Sequence, residues 1–371
     1  MKKNILFLGA AVVLVLGTML LVGLKPKGFR LRNEVSWLKD TPGISFSRIG
    51  IAFTEDPLTW PARPESADCA ITIELSIKPA RAYANGIPCI LSFWDRAAPD
   101  PLVIGQWRNH LIIRKRDPRS RRGYREMGAD SALPRDSARL IDIASGGGGT
   151  IVYVNGEPDR DSERTSLVSG AGLSARLVLG NSATGQNPWY GELYGVTIFA
   201  RELAPSEVAR RYRAWDSLGR VALPIAPGAM VRYAFDEGHG RAARNTSGIE
   251  HQLWIPGIFR ILQKQILTPP WKDFRPDLHY LEDVAVNFAG FMPFGFLLAA
   301  LLMTGLNIRR RRAVAMTVLA GFLLSLFIEL AQVWIPTRSS QLSDLMLNTL
   351  GACVGAMAGG WKWNWSGRVL E

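Results

Sequence analysis

Residues 313–335 read AVAMTVLAGFLLSLFIELAQVWI, an apolar run of 23 residues. As a helix rising about 1.5 Å per residue, such a run spans a hydrocarbon core. It holds a carboxylate, Glu329, and a carboxamide, Gln332, near its end, where hydrocarbon makes both costly. Working outward, similar runs occupy Ile5–Leu24, about Asn287–Leu306, and Leu345–Trp361. The stretch from Lys25 to about Leu281 has none. Leu20–Pro26 offers no small-residue cleavage site, so the first run reads as a retained helix and not as a cleaved leader. The expected order is a transmembrane helix in residues 1–27, a soluble domain in 28–245, a linker in 246–280, and a domain in 281–371 with transmembrane helices at about 287–306, 313–335 and 345–361.

Basic residues in short connections stay on the cytoplasmic side. Lys2 and Lys3 precede the first run, Arg309–Arg312 fill the connection between the second and third, and Lys362 and Arg368 follow the fourth. Four spans then describe a multi-pass protein of a bacterial inner membrane, with both termini cytoplasmic and the soluble domain outside. Arg338, in the short outer loop, is the exception. The chain carries 44 Lys and Arg against 32 Asp and Glu, a net charge of +12. Such a surplus is the footprint of nucleic-acid binders, yet this topology takes the domain out of that compartment. Nucleic acid is therefore excluded as a partner, leaving lipid head groups or acidic glycans. One basic run stands out, Arg114–Arg125, where Asp117-Pro118 and Arg122-Gly123 punctuate a solvated hairpin loop. Head-group binding by that loop is the competing reading.

Between about Glu34 and Phe235, short alternating runs are broken by Gly, Pro and Asn, as in an antiparallel sandwich. Ala70–Ile77 alternates with period two, placing Ile71, Ile73, Leu75 and Ile77 on one face. Thr150–Glu157 reads as a strand entering an Asn155-Gly156 turn. The strand Ile151-Val152-Tyr153-Val154-Asn155-Gly156-Glu157, followed by Leu177–Asn181, Trp189–Phe199 and Arg201–Val208, resembles the closing sequence of laminin-G-like, concanavalin A-like domains. Tyr233–Gly240 resembles their "FDEgsG" phrase, which there comes near the start. The resemblance implies an all-β antiparallel jelly-roll sandwich that binds sugars, or cleaves them where paired carboxylates face the ligand. No E-x-D-x-x-E strand is present, so binding is the expected activity. Trp94, Trp107, Trp189 and Tyr190 are the candidate sugar-stacking aromatics, with core packing as the alternative for each. Laminin-G-like domains often hold calcium, but no ligand set aligns here, no His/Cys grouping has metal-ligand spacing, and no other cofactor is implied. A Cys69–Cys89 bridge stays open.

In the apolar runs, polar residues recur on single helix faces. Asp283 and Asn287 are four apart, Glu329 and Gln332 three apart, Asp344 and Asn348 four apart, and Arg338 lies in the outer loop. In the orientation above, all seven reach one leaflet. Gly351, Gly355 and Gly359 continue the Asp344–Asn348 stripe as a small-residue face for close helix packing. Asp283-x3-Asn287-x5-Pro293-Phe294-Gly295-Phe296, Glu329-x2-Gln332, Pro336-x-Arg338 and Asp344-x3-Asn348-x2-Gly351-x3-Gly355 resemble the VanZ family pattern. The resemblance implies a four-helix transmembrane bundle with the sandwich inserted after its first helix, making a multi-domain membrane protein. One member of that family is associated with low-level teicoplanin resistance, and the resemblance brings no established reaction. The seven residues are expected to bind an envelope lipid or lipid-linked saccharide, with Arg338 as a cation for its phosphate or carboxylate. Alternatives are an enzyme using Glu329 or Asp344 as general base, a scaffold for polysaccharide-export proteins, and purely interhelical hydrogen bonding.

Overall fold

The computed structural model describes residues 2–25, 32–47, 49–60, 68–81, 86–95, 101–162, 165–169, 173–248, 250–273, 278–335 and 338–366. The chain divides into two compact units, Met1–Phe29 with Lys264–Glu371, and Arg30–Gln263.

The Arg30–Gln263 unit is an antiparallel sandwich of two large sheets. The strand Ile71–Pro79 lies between Gly191–Phe199 and Arg139–Gly146 in one sheet. In the other, Cys89–Trp94 lies between Leu102–Trp107 and Leu173–Leu179. Ile71, Ile73, Leu75 and Ile77 are fully buried, as their alternation predicts, and share a core with Phe93, Ile104, Leu177 and Trp189. Cys89 and Cys69 belong to strands of different sheets, and the side chain of Cys69, hence the bridge, lies outside the described residues.

The displaced phrase begins in the strand Val231–Tyr233. Val231–Tyr233 pairs with Val196–Ile198 of the strand that precedes it in the chain. It lies on the edge of Gly191–Phe199 that also carries Ile44–Phe46, which pairs with Gly191–Leu193. The expected linker over 246–280 is corrected by the same segment. Leu253–Trp254 is a strand paired with Phe53 and Thr54, and Leu253 and Ile255 are buried in the core, so the sandwich runs on to Gln263.

The outer face of the Ile71–Pro79 strand departs from simple alternation, because Thr72, Glu74 and Ser76 are fully buried too. A helix covers them. Two helices are needed to describe the order: α1, Lys2–Leu24, in the other unit, and α2, Pro205–Ser217, on this face. Glu207 in the first turn of α2 accepts from the Ala204 amide at 3.0 Å, and its pairing with Arg201 holds its carboxyl down at about 2. From α2, Trp215 Nε1 donates to Ser76 Oγ at 2.8 Å, and Arg211 clamps Glu74 through Nε and Nη2 at 2.6 and 2.7 Å. Thr72 bridges the Arg201 carbonyl and the Leu203 amide, each at 2.9 Å. Asp142 sits opposite Glu74 on the next strand, fully buried. Burial, and then the Glu74 charge, push its carboxyl well above the usual range. Since Glu74 is another acceptor, the pair is satisfied when Asp142 keeps its proton.

In the other unit, α4 covers Leu278–Gly305, α5 Arg310–Gln332 and α6 Leu342–Ser366, after a single turn, α3, at Pro270–Asp273. Among the described residues three helical segments are long and apolar enough to cross a membrane: Ile5–Leu24, Tyr280–Gly305 and Arg310–Gln332. The expected fourth span forms a helix but is outside that set, its first two turns carrying Asp344 and Asn348. The second span begins earlier than the expected 287, and the third ends in a turn over residues 333–335. A Cβ added at Gly295 would collide with the Ala352 carbonyl, and one at Gly351 or Gly355 with the Phe288 or Met292 carbonyl. These glycines let α4 and α6 touch backbone to backbone.

Two substitutions test the buried carboxyl pair by urea unfolding across pH. Above the ordinary carboxylate pKa the folded chain holds a proton on Asp142 that the unfolded chain has released, so stability falls as pH rises through that window. Asp142→Asn is expected to remove this slope with no loss at neutral pH. Glu74→Gln leaves Arg211 buried without its counter-charge and is expected to cost about 3–5 kcal/mol.

Candidate functional site

Helices α1, α4, α5 and α6, with the segment entering α6, surround a cavity of about 450 Å³. All seven residues singled out in the sequence line it: Asp283, Asn287, Glu329, Gln332, Arg338, Asp344 and Asn348. Helical spacing explains the convergence, since partners three or four apart project from one face. Glu329 is 1% exposed, and its Oε2 accepts from the Gln341 amide at 2.7 Å, pinning the segment before α6 to α5. Gln332 Nε2 donates to the Gly23 carbonyl at 2.9 Å. Asn348 is 4% exposed, and its Nδ2 donates to Ser325 Oγ at 2.9 Å. Its Oδ1 is buried with no hydrogen-bond partner among the described residues. Asn287 is half-buried and Asp283 exposed.

Arg338 is bonded to α1. Its Nη2 donates to the Val22 carbonyl at 2.8 Å and its Nε to the Lys25 carbonyl at 3.2 Å. These carbonyls close α1, where a helix leaves acceptors unsatisfied and its dipole favours a cation. Two of its donors therefore anchor α1, a role the sequence did not show. Sequence reasoning also missed α1 itself, which lines the cavity through Thr18, Met19, Val22 and Gly23. An almost uniformly apolar helix gives no signal of which face meets a cavity. Phe291 and Ile328 supply apolar wall, and Ser339 and Gln341 add polar groups from the connection.

The four aromatics proposed for sugar stacking separate. Trp189 is fully buried, donating from Nε1 to Gln106 Oε1 at 2.8 Å, and Trp94 is 5% exposed, its Nε1 bonded to Gln263 Oε1 at 3.1 Å. Both are core residues with satisfied indoles, so neither presents a face to a sugar. Trp107 is 38% exposed and stacks on His110, and Tyr190 lies under Arg81. A cleft of about 500 Å³ lies elsewhere on the sandwich, lined by Glu55, Asp56, Arg244, Asn245, Gly248, Glu250, His251, Gln252 and the half-buried Trp254. Much of it comes from the stretch read as linker, which is why it was not anticipated. Glu74 and Asp142, the paired carboxyls of the sandwich, are sealed beneath α2 and face no open surface. Among the described residues no group of three or more His, Cys, Asp or Glu is arranged to hold a metal.

The VanZ/LLP1 family matches residues 221–361, and the concanavalin A-like lectin/glucanases superfamily (Laminin_G_3) matches residues 123–209. The chain combines a VanZ-like region with a concanavalin A-like domain. The VanZ-like match begins within the sandwich unit and takes in the whole polar cavity apart from its α1 wall. The VanZ-like match and the apolar helices together mark the chain as membrane-associated. No curated protein matches the sequence. Solved structures with some likeness include a proposed carbohydrate binding protein from Bacteroides ovatus, 14% identical over 60% of this chain and 59% of that one, with a TM-score of 0.39. Others are a SAP-like pentraxin from Limulus polyphemus, 16% identical over 49% and 82% with a TM-score of 0.35, and the receptor binding domain of botulinum neurotoxin D, 15% identical over 50% and 47% with a TM-score of 0.36. The chain spans less than two thirds of the first and third of these proteins. At such TM-scores the likenesses carry no weight on ligand or activity.

Within the VanZ-like region, Arg338→Ala is expected to lower the stability of the detergent-solubilised chain by roughly 2 kcal/mol, since charge-assisted hydrogen bonds to α1 are lost. Arg338→Lys should recover only part of this, because an ammonium cannot reproduce the two-pronged geometry. Thermal-shift measurements on the purified variants read both effects.

Proposed function

We propose that the chain is an envelope glycan-recognition protein of a bacterial inner membrane. In this reading α1, α4, α5 and α6 cross the bilayer, the basic residues at 2–3, 309–312, 362 and 368 keep both termini cytoplasmic, and the sandwich is extracytoplasmic. The sandwich binds a polysaccharide, and the VanZ-like cavity takes the sugar head group of a lipid-linked saccharide. The observation that carries the proposal is the convergence of seven polar residues from α4, α5, α6 and their connection on one cavity of about 450 Å³, a size that suits a small organic group.

The chemistry of the lining supports a hydroxyl-rich ligand. Carboxylates accept and carboxamides both donate and accept, so Asp283, Asn287, Asp344 and the unpartnered Asn348 Oδ1 offer complementary positions to sugar hydroxyls, with Phe291 as an apolar face. Arg338 is occupied by α1, which favours recognition through the sugar over recognition through a phosphate. A second reading has its own support. The bonds Glu329–Gln341, Gln332–Gly23 and Arg338–Val22 all join one segment of the unit to another, as expected of a scaffold whose polar groups set helix register. In the enzymatic alternative a general base at Glu329 is 1% exposed, whereas Asp344 is half-buried and the more accessible of the two.

Native mass spectrometry of the full chain extracted from its own membranes separates the two. A lipid-linked saccharide adduct is expected on wild type, weakened about tenfold or more in Asp344→Asn and Asn287→Leu with abundance unchanged, the loss of one or two hydrogen bonds to a polar ligand. Equal adducts in wild type and variants, or loss of abundance without any adduct, would favour the scaffold.

A further inference from the structure

The densest positive charge on the sandwich sits on a rigid support. His110–Arg116 and Tyr124–Ala129 form a hairpin with Arg116 paired to Tyr124, as the punctuation of the sequence predicts. Its turn is closed by Asp117 N to the Gly123 carbonyl at 3.0 Å and Ser120 N to the Asp117 carbonyl at 3.0 Å. Asp117 Oδ1 also accepts from the Arg119 amide at 3.0 Å, and Gly123 supplies the left-handed residue at φ +76°. The cations of the hairpin fall into two sets. Arg114 pairs with Glu126 at 2.6 Å, Arg125 with Asp117 at 2.7 Å, and Lys115 donates to the Ser166 carbonyl. Arg116, Arg119, Arg121 and Arg122 are exposed and make no ion pair among the described residues. The Asp117 carboxyl is held below the usual range first by its bond from Arg125 and less by Arg119, so a single carboxylate serves five arginines of the hairpin end.

Four exposed guanidiniums within seven residues, with one carboxylate among them that is already paired to Arg125, repel one another, and a preformed turn keeps them together. Such an arrangement is stabilised by a partner that brings several negative charges at once. Planar guanidinium forks match carboxylates in two-point contacts. Between Asp117 and Gly123 the only apolar side chain is that of Pro118, so the tip has no aromatic or aliphatic wedge of the kind that seats a segment in a bilayer interface. A flexible anionic chain needs no wedge.

We infer that Arg116, Arg119, Arg121 and Arg122 form a docking point for an acidic polysaccharide whose sugars bear carboxylates. This rests on the glycan-recognition reading of the sandwich and names the charge class of its ligand. The test uses the full chain in nanodiscs of zwitterionic lipid, with polygalacturonate as the acidic probe and dextran as the neutral one, at low and raised salt. Polygalacturonate is expected to bind more tightly than dextran and to weaken with salt. Its affinity should fall about tenfold or more in the combined variant Arg116→Gln, Arg119→Gln, Arg121→Gln, Arg122→Gln, since exposed pairs contribute modestly one by one. Arg213→Gln, an exposed arginine of α2, should bind as wild type. Equal binding of the two polymers, or polygalacturonate binding unchanged in the combined variant, overturns the inference while leaving a glycan-binding sandwich in place. Binding of anionic vesicles but not of polygalacturonate overturns it in favour of a membrane surface. Binding of no glycan of either charge removes the parent reading as well.

Discussion

No Cβ fits between α4 and α6 at Gly295, Gly351 or Gly355, and the backbone contact this permits fixes where the polar groups of the helical unit point. Asp344, Asn348, Gly351, Gly355 and Gly359 follow one another at intervals of four, three, four and four residues along a single stripe. The glycine half of the stripe lies dry against α4 carbonyls. The polar half faces the cavity, where Ser325 holds the Asn348 amide and its oxygen is left over. Packing and site are thus one feature read at its two ends. α5 and α1 complete the walls, tied in by Glu329, Gln332 and Arg338.

The sandwich meets a related constraint on the outer face of its central strand. Polar side chains there would ordinarily look to water, but α2 seals them in, and a buried polar group without a partner is costly. Each of Thr72, Glu74 and Ser76 has a partner supplied from α2 or the segment leading into it. Asp142 lacks a donor among the described residues and is accommodated by keeping its own proton. The arginine hairpin shows the opposite treatment of charge, with four cations left facing solvent on a preformed turn.

Much of this was legible in the chain. Period-two alternation located the strand Ile71–Pro79, the Asn155-Gly156 turn located its hairpin, and three-and-four spacing picked out six of the seven cavity residues, Arg338 in the connecting loop being the other. The failures have physical causes. Buried tryptophans and sugar-stacking tryptophans share a composition, and only the partner of the indole N–H told Trp94 and Trp189 apart from an exposed ring. The 246–263 segment looked like linker because its strand is two residues long and its burial depends on Ala52–Thr54, far away in sequence. Arg338 looked like an unsatisfied cation because a backbone carbonyl leaves no mark in sequence.

The central claim is that the VanZ-like cavity holds the sugar head group of an envelope lipid. Cryo-electron microscopy of the full chain, carried into nanodiscs with its own membrane lipids, addresses that claim most directly. Non-protein density is expected among Asn287, Asp344 and Asn348, continuous with an acyl-like tail along α1 or α4. A well-ordered cavity lining around solvent alone, with Asn348 turned to a protein partner, would contradict it.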